Sequence, residues 1–420
     1  MSGLGSDGQI VPQHLVLVLP STGEFDSRAW RIARTLTGRG HTVTMLARWK
    51  AGLPVEEYNP LGFRLLRIRA SAPGGTARPR QADPGAGSRL GRAWRELRRR
   101  TAVLLTIRSH RRNAVQEAPA GDLYHGMMFM GIPVALDLGK RDRVPVVYDA
   151  RDIYLSARNL ARMGALARAL LGRLERGWAK RASRVVTVND AYADVMARRW
   201  PVERPLVVMN CSFRYTPPSP RVHRFHEHLG LDPAEKVVLY HGGLSPWRGI
   251  EQLIAAIRRV PGATLVLMGY GDLEETLRAR EADPASGGKI RVMTAVPPGE
   301  LHDWVAAADV AAMPIQGDTL NHRLTTPNKL FEAMAAGVPA VVSDLPGMRA
   351  IVEDTGCGIL VDPTDPHAIA DGIRQVLQLP DEEWLAWRQR CLDAAHDRYN
   401  WETQVESLLH EYGRLTGKRW

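Results

Sequence analysis

Cysteine is scarce in this chain of 420 residues: Cys211, Cys357 and Cys391 are its only three. They are far apart and odd in number, which argues against a disulfide framework and against a clustered zinc site. A reducing, cytoplasmic setting is the expectation. No apolar run approaches the ~20 residues needed to span a bilayer. The opening MSGLGSDGQIVPQ lacks the basic start and long apolar core of a secretory leader. Acidic residues are almost absent between Arg64 and Arg112, and the net charge is +11. Such an excess calls for an anionic partner or a solvated basic face. Nucleic acid is the weaker candidate, because the basic stretch has no interleaved stacking aromatics and no zinc or RNP-type motif.

What is present is a repeated alternation of short apolar runs and helical patterns. His14 to Leu19 reads as a buried strand, PSTGEF as a loop, Asp26 to Thr37 as a helix and His41 to Leu46 as a second strand, which together make a βαβ unit. Further strands are expected at Phe63 to Ile68, at a short run ending in Tyr124, at Val144 to Tyr148 and at Arg184 to Val188. A long helix is expected over about Arg158 to Arg181, and Asn189 opens another. The alternation restarts at Lys236 to Tyr240 and continues through Thr264 to Met268, Ile290 to Met293, Asp309 to Met313 and Val338 to Val342. The length predicts about two domains. The fold class is therefore α/β, with two tandem Rossmann-like domains of parallel, doubly wound sheet facing a central cleft. The boundaries expected are 13–215 for the first domain, 216–235 for a proline- and histidine-rich linker, 236–395 for the second domain and 396–420 for a last helix. That helix carries Val405, Leu408, Leu409 and Tyr412 on one face and is expected to cross back onto the first domain. His223, His226 and His228 sit in the polar linker without a cysteine partner, so a solvated surface is favoured over a metal site.

The densest signal is TTPNKLFEAMAAGVPAVVSD, Thr325 to Asp344. A loop feeds a helix that opens near Pro327, ends at Gly337 and is followed by a buried strand. The free N–H groups and dipole of such a helix start favour phosphate. Glu332, one turn further in on an otherwise apolar helix, suits the hydroxyls of a ribose. Phosphate and ribose together imply a nucleotide. Gly242 and Gly243 of HGGLSPWRG, and Gly269 of GYGD, offer bare backbone at strand ends.

In order and spacing, YHGGLSPWRGIEQLI, LVLMGYGDLEETL, VPPGELHDWVAAADVAAMPI, TTPNKLFEAMAAGVPAVVSD, DLYHG and VVYDARDIY resemble the GT-B glycosyltransferases, specifically the retaining family 4 and its branch with a PNKLFE motif. The resemblance implies a nucleotide-sugar as co-substrate, no other cofactor and no metal. It assigns Glu332 to the ribose, sets Asn328, Lys329 and the preceding loop amides near the donor phosphates, and counts Thr326 and Leu330 among the donor-binding residues. Val296 falls in the segment that reads the base through backbone groups. The family's two diphosphate cations fall here on Gly243 and Arg248, so Arg248 and Lys329 are the candidates for steadying the leaving group. The earlier of two family glutamates is replaced by Leu324. His125 matches a histidine that faces the donor sugar. On the acceptor side, Gly23 matches a glycine loop; Asp26, Arg28, Asp149 and Asp152 either position the acceptor or cap and decorate helices.

Leu90, Trp94, Leu97, Thr101 and Leu104 recur at helical spacing in the basic segment 89–116. That face either packs on the first domain or lies on an anionic membrane, which would make the protein peripheral. The function expected is retaining transfer of a hexose-type sugar from UDP or GDP to a cell-envelope, lipid-linked or natural-product acceptor. A donor-binding partner with weak catalysis and a nucleotide-sugar epimerase are the alternatives.

Overall fold

The computed structural model describes residues 11–24, 26–69, 108–157, 160 and 163–420. The first lobe is an eight-stranded sheet in the order β3-β4-β2-β1-β5-β6-β7-β8. Its strands are β1 (His14–Val18), β2 (Thr42–Arg48), β3 (Glu56–Tyr58), β4 (Arg64–Ile68), β5 (Leu123–Met127), β6 (Val146–Asp149), β7 (Arg184–Thr187) and β8 (Leu206–Val207). All neighbours run parallel except β3, an exposed antiparallel edge whose Glu56, Glu57 and Tyr58 carry no apolar alternation to announce it. The second lobe is a parallel six-stranded sheet, ordered β11-β10-β9-β12-β13-β14. It is built from β9 (Lys236–Gly243), β10 (Ala263–Tyr270), β11 (Ile290–Thr294), β12 (Val310–Met313), β13 (Ala340–Ser343) and β14 (Gly358–Val361).

The central strands of both sheets are buried on both faces, which is why they read as continuous apolar runs rather than alternating ones. In β9, Val237 and Leu239 enter one apolar cluster while Val238 and Tyr240 enter another. In β1, Val16 and Val18 do the same against Leu15 and Leu17. The strand order reverses beside β1 in one lobe and beside β9 in the other, so each has a switch point where ligands bind beyond the strand ends.

The helices that position the site are α1 (Ser27–Gly38), α2 (Met128–Asp142), α3 (Ala165–Arg181) and α4 (Asp190–Arg199) in the first lobe. In the second they are α5 (Arg224–Leu229), α6 (Ile250–Ile257), α7 (Leu320–Arg323) and α8 (Asn328–Ala335). The last helix, α9 (Trp401–Thr416), returns to the first lobe. Its Trp401, Val405, Leu408, Leu409 and Tyr412 join the cluster containing Leu15 and Leu17, and Trp401 donates its indole N–H to Thr35 Oγ1 at 2.9 Å. The chain thus crosses between lobes twice. The crossings lie side by side, with the Trp401 amide donating to the Ser212 carbonyl at 2.7 Å.

Two expectations are corrected here. The segment 216–235 is not a free linker: α5 sinks Phe225 into the second lobe's core, and Leu231 follows it. The long helix begins at Ala165, after a 3-10 turn at Tyr154–Ser156. The basic helix expected over 89–116 lies largely outside the described residues, and within them 108–117 is helical.

Candidate active site

At the C-terminal end of β9 the backbone turns through Gly242, at φ +102°, and Gly243. A side chain at Gly243 would meet nothing within 4 Å, and one at Gly242 would first reach Lys329 Nζ at 3.6 Å. This backbone faces open space and the lysine. Gly249 instead serves packing. A Cβ there would sit 1.8 Å from the Pro314 carbonyl oxygen, so the loop between β9 and α6 closes only on glycine. The Gly269 assignment is corrected on the same grounds. Its missing side chain makes room for the Gly242 carbonyl, 1.9 Å from where a Cβ would stand, rather than for a ligand.

Lys329 lies in the first turn of α8, with its ammonium 3.7 Å from the centre of the Tyr240 ring. Burial pushes it well below the ordinary lysine range. Arg248 pushes in the same direction, and Glu332 opposes them. Two basic groups therefore share one corner with too little negative charge to keep both charged, and a bound anion would restore the lysine's proton. Pro327 stands just ahead of the helix at φ −71°, ψ 141°, as its cap rather than inside its first turn. Leu330 is corrected: its side chain is in the core and its amide bonds the Pro327 carbonyl, so it faces no ligand.

Glu332 is buried, with Oε2 accepting from His241 Nε2 at 2.9 Å and Oε1 at 3.9 Å from the Arg31 guanidinium of the opposite lobe. Burial alone would raise its carboxyl, but the His241 hydrogen bond and the nearby Arg31 prevail and hold it at about 2. Sequence reading missed His241 and Arg31. The signal was available in Arg31, which lies three positions after Arg28 and so on the same, inward face of α1. Thr326 and Asn328 also reach across the cleft. Thr326 Oγ1 accepts from Asn189 Nδ2 at 3.2 Å and Asn328 Oδ1 from Asn210 Nδ2 at 2.9 Å. Val296, half-buried just past β11, packs on the second lobe's core. Leu324, where the family carries a glutamate, packs against the first lobe's apolar cluster and accepts from Asn189 Nδ2 through its carbonyl at 2.9 Å.

The first-lobe residues are drawn inward. His125 lies inside β5, not after it, and is fully buried. Its Nε2 is 3.2 Å from Asp149 Oδ2 and its Nδ1 is 2.6 Å from the Tyr412 hydroxyl. Burial raises Asp149, but Arg28 and the His125 contact more than reverse that, so the acid is ionised and acts only as an acceptor. The His125 proton is then on Nε2, and Tyr412 donates to Nδ1. Burial also lowers His125, which keeps it neutral. With both ring nitrogens occupied, His125 does not face a sugar, and that expectation is corrected. Arg28 and Asp149 are likewise corrected. They form a fully buried pair at 2.6 Å, and Arg28 also donates to the Val208 carbonyl. Asp26 caps α1, accepting from the Ala29 amide, and takes both Arg151 guanidinium nitrogens at 2.7 Å. Gly23 is buried against Leu65, and its carbonyl accepts from Trp30 Nε1. Asp152 reaches the interface between lobes, accepting from Asn321 Nδ2 of α7 at 2.9 Å, with burial raising its carboxyl.

The facing switch points, with two cations and a carboxylate on one side, define the fold class: this is a GT-B architecture. Sucrose-phosphate synthase from Thermosynechococcus elongatus superposes with a TM-score of 0.75 at 19% identity, covering 96% of this chain and 99% of that one. Anabaena HepE in complex with UDP-glucose gives 0.69 at 18%, covering 96% and 100%. The family pattern described as "Glycosyl transferase 4-like domain" matches residues 26–211, and "Glycosyl transferases group 1" matches 235–379. The chain belongs to this family of GT-B glycosyltransferases. It is similar to a D-inositol 3-phosphate glycosyltransferase of Segniliparus rotundus, 30% identical over 192 residues, 44% of this chain and 41% of that protein. It is also similar to a GDP-mannose-dependent alpha-(1-6)-phosphatidylinositol monomannoside mannosyltransferase of Mycolicibacterium smegmatis, 31% identical over 214 residues, 49% of this chain and 54% of that protein. In these matches the chain spans about half the length of its curated relatives.

Proposed function

We propose that the protein is a retaining, metal-independent glycosyltransferase that moves a hexose-type sugar from a UDP- or GDP-linked donor to a cell-envelope, lipid-linked or natural-product acceptor. One observation carries the reading: Lys329, its ammonium over the Tyr240 ring and next to the open backbone of Gly242, with the Arg248 charge acting on it. Cleaving a nucleotide-sugar puts about two negative charges on the departing diphosphate, and prepositioned cations and amides stabilise them without rearranging. Glu332, ionised and held by His241, accepts from ribose hydroxyls. The buried His125–Asp149–Arg28 network positions the first-lobe side of the cleft rather than touching the sugar. The solved neighbour carrying UDP-glucose and the relative named for GDP-mannose make those two nucleotides the first to try.

The experiment is a melting-temperature screen of nucleotide-sugars followed by a turnover assay with the best one. A ligand at a hundred times its Kd stabilises the folded state by about 2.7 kcal/mol. A UDP- or GDP-sugar should raise the melting temperature, and Lys329→Ala should weaken binding about ten- to a hundredfold. Slow donor hydrolysis, insensitive to chelator and abolished in Lys329→Ala, distinguishes the enzyme from a binding-only relative. Indifference to every nucleotide would end the proposal.

A further inference from the structure

Among the described residues, little of the chain covers helix α3. Of its seventeen residues only Glu175 and Ala179 are buried. Leu166, Leu170 and Leu174 are 87%, 60% and 44% exposed. At spacings of four they form one stripe along the helix. Basic residues Arg168, Arg173, Arg176, Lys180 and Arg181 occupy the rest of the same helix. Its one acid, Glu175, is turned inward, accepts from the Tyr148 hydroxyl at 3.0 Å and is raised by burial to about 7. Beside the stripe, between α3 and α4, opens a cavity of about 850 Å³. Its walls include the apolar Leu166, Leu170, Val195, Met196 and Trp200, with Arg173 and Arg199 among its basic lining residues.

We propose that α3 is a docking surface for an anionic lipid bilayer, with the leucine stripe entering the interface and the surrounding cations meeting lipid phosphates. Leucines alternating with long basic side chains suit a helix lying in the headgroup plane, where arginine stems cross apolar ground and their charges stay wet. Charge decides the occupant. A second copy of this chain applied face to face would set five cations against five with no exposed acid on either helix. A bilayer rich in acidic lipid supplies the opposite sign over the whole face. The placement is on the acceptor lobe: α3 follows β6 and the segment holding Arg151 and Asp152, so a docked helix sets that side of the cleft beside the membrane. The surface differs from the basic segment 89–116 and does not depend on the donor reading, because vesicle binding is measured without sugar transfer.

The test is flotation of the full chain with vesicles of phosphatidylcholine alone or mixed equally with phosphatidylglycerol. Binding to the mixed vesicles only is expected. Leu166→Glu with Leu170→Glu, and separately Arg173→Glu with Arg176→Glu, should each cut that binding at least tenfold. Both pairs are exposed, so an unchanged melting temperature and an unchanged response to UDP report an intact fold. The proposal is overturned if the wild type ignores acidic vesicles, if neutral vesicles bind as well, or if both variants float like the wild type. A wild-type dimer that the leucine variant dissociates would also overturn it, by giving the face to a second copy.

Discussion

At the scale of single residues, Lys329 is the group whose chemistry changes most when donor binds. Burial and Arg248 favour its neutral form in the free protein, and a diphosphate favours the cation. The folded pKa is depressed without ligand and restored with it, so binding UDP should take up a proton at pH values between those two. Affinity should then fall as pH rises through that window. Calorimetry in buffers of different ionisation enthalpy measures the uptake directly; proton release instead would contradict the charge assignment. That Glu332 is set apart from its helix was legible in the sequence, as a lone acid among apolar residues; its His241 and Arg31 partners were not. His125 was placed one element too far out: a three-residue extension of β5 converts a cleft residue into a core residue, and no local pattern in DLYHGMM marks where that strand stops. Arg28 and Asp149 looked like ligand contacts because charged residues are rarely fully buried unless paired, and their pairing spans 121 positions in sequence.

At the scale of elements, the strands were legible from β-branched and apolar runs, and β3 was not because its residues are exposed and polar. The helix α3 keeps Glu175 buried, and there the sign of the pH effect is definite. Its folded value, about 7, exceeds the ordinary carboxyl value. Between about pH 4.5 and 7 the unfolded chain binds fewer protons than the folded one, so stability falls as pH rises and the loss is complete above pH 7. Glu175→Gln keeps a partner for Tyr148 and removes the titration. Denaturant unfolding should find it more stable than the wild type by about 1–3 kcal/mol at pH 8, and little different at pH 5. An equal effect at both pH values would place the proton elsewhere.

At the scale of the whole molecule, the lobes are clasped through α7. Asn321 accepts from the Ile153 amide at 2.7 Å, donates to Asp152, and offers its carbonyl to Tyr192 at 2.8 Å. None of this was readable from sequence, since the partners lie in different lobes and look like ordinary polar loop residues. Asn321→Ala removes two of the three bonds and should loosen the clasp. Small-angle scattering should show a larger radius of gyration for the free variant, contracting toward the wild-type value with saturating donor; identical profiles would mean that other contacts hold the lobes.

The paired passages of chain at Ser212 and Trp401 set the kind of movement available when that clasp opens. One strand between two bodies acts as a swivel and leaves all rotations free. Two strands laced together act as a door hinge, which swings about the line they share and resists torsion. The lobes can therefore part and meet again on the same track, so that Arg31 and Glu332 return to register after each swing.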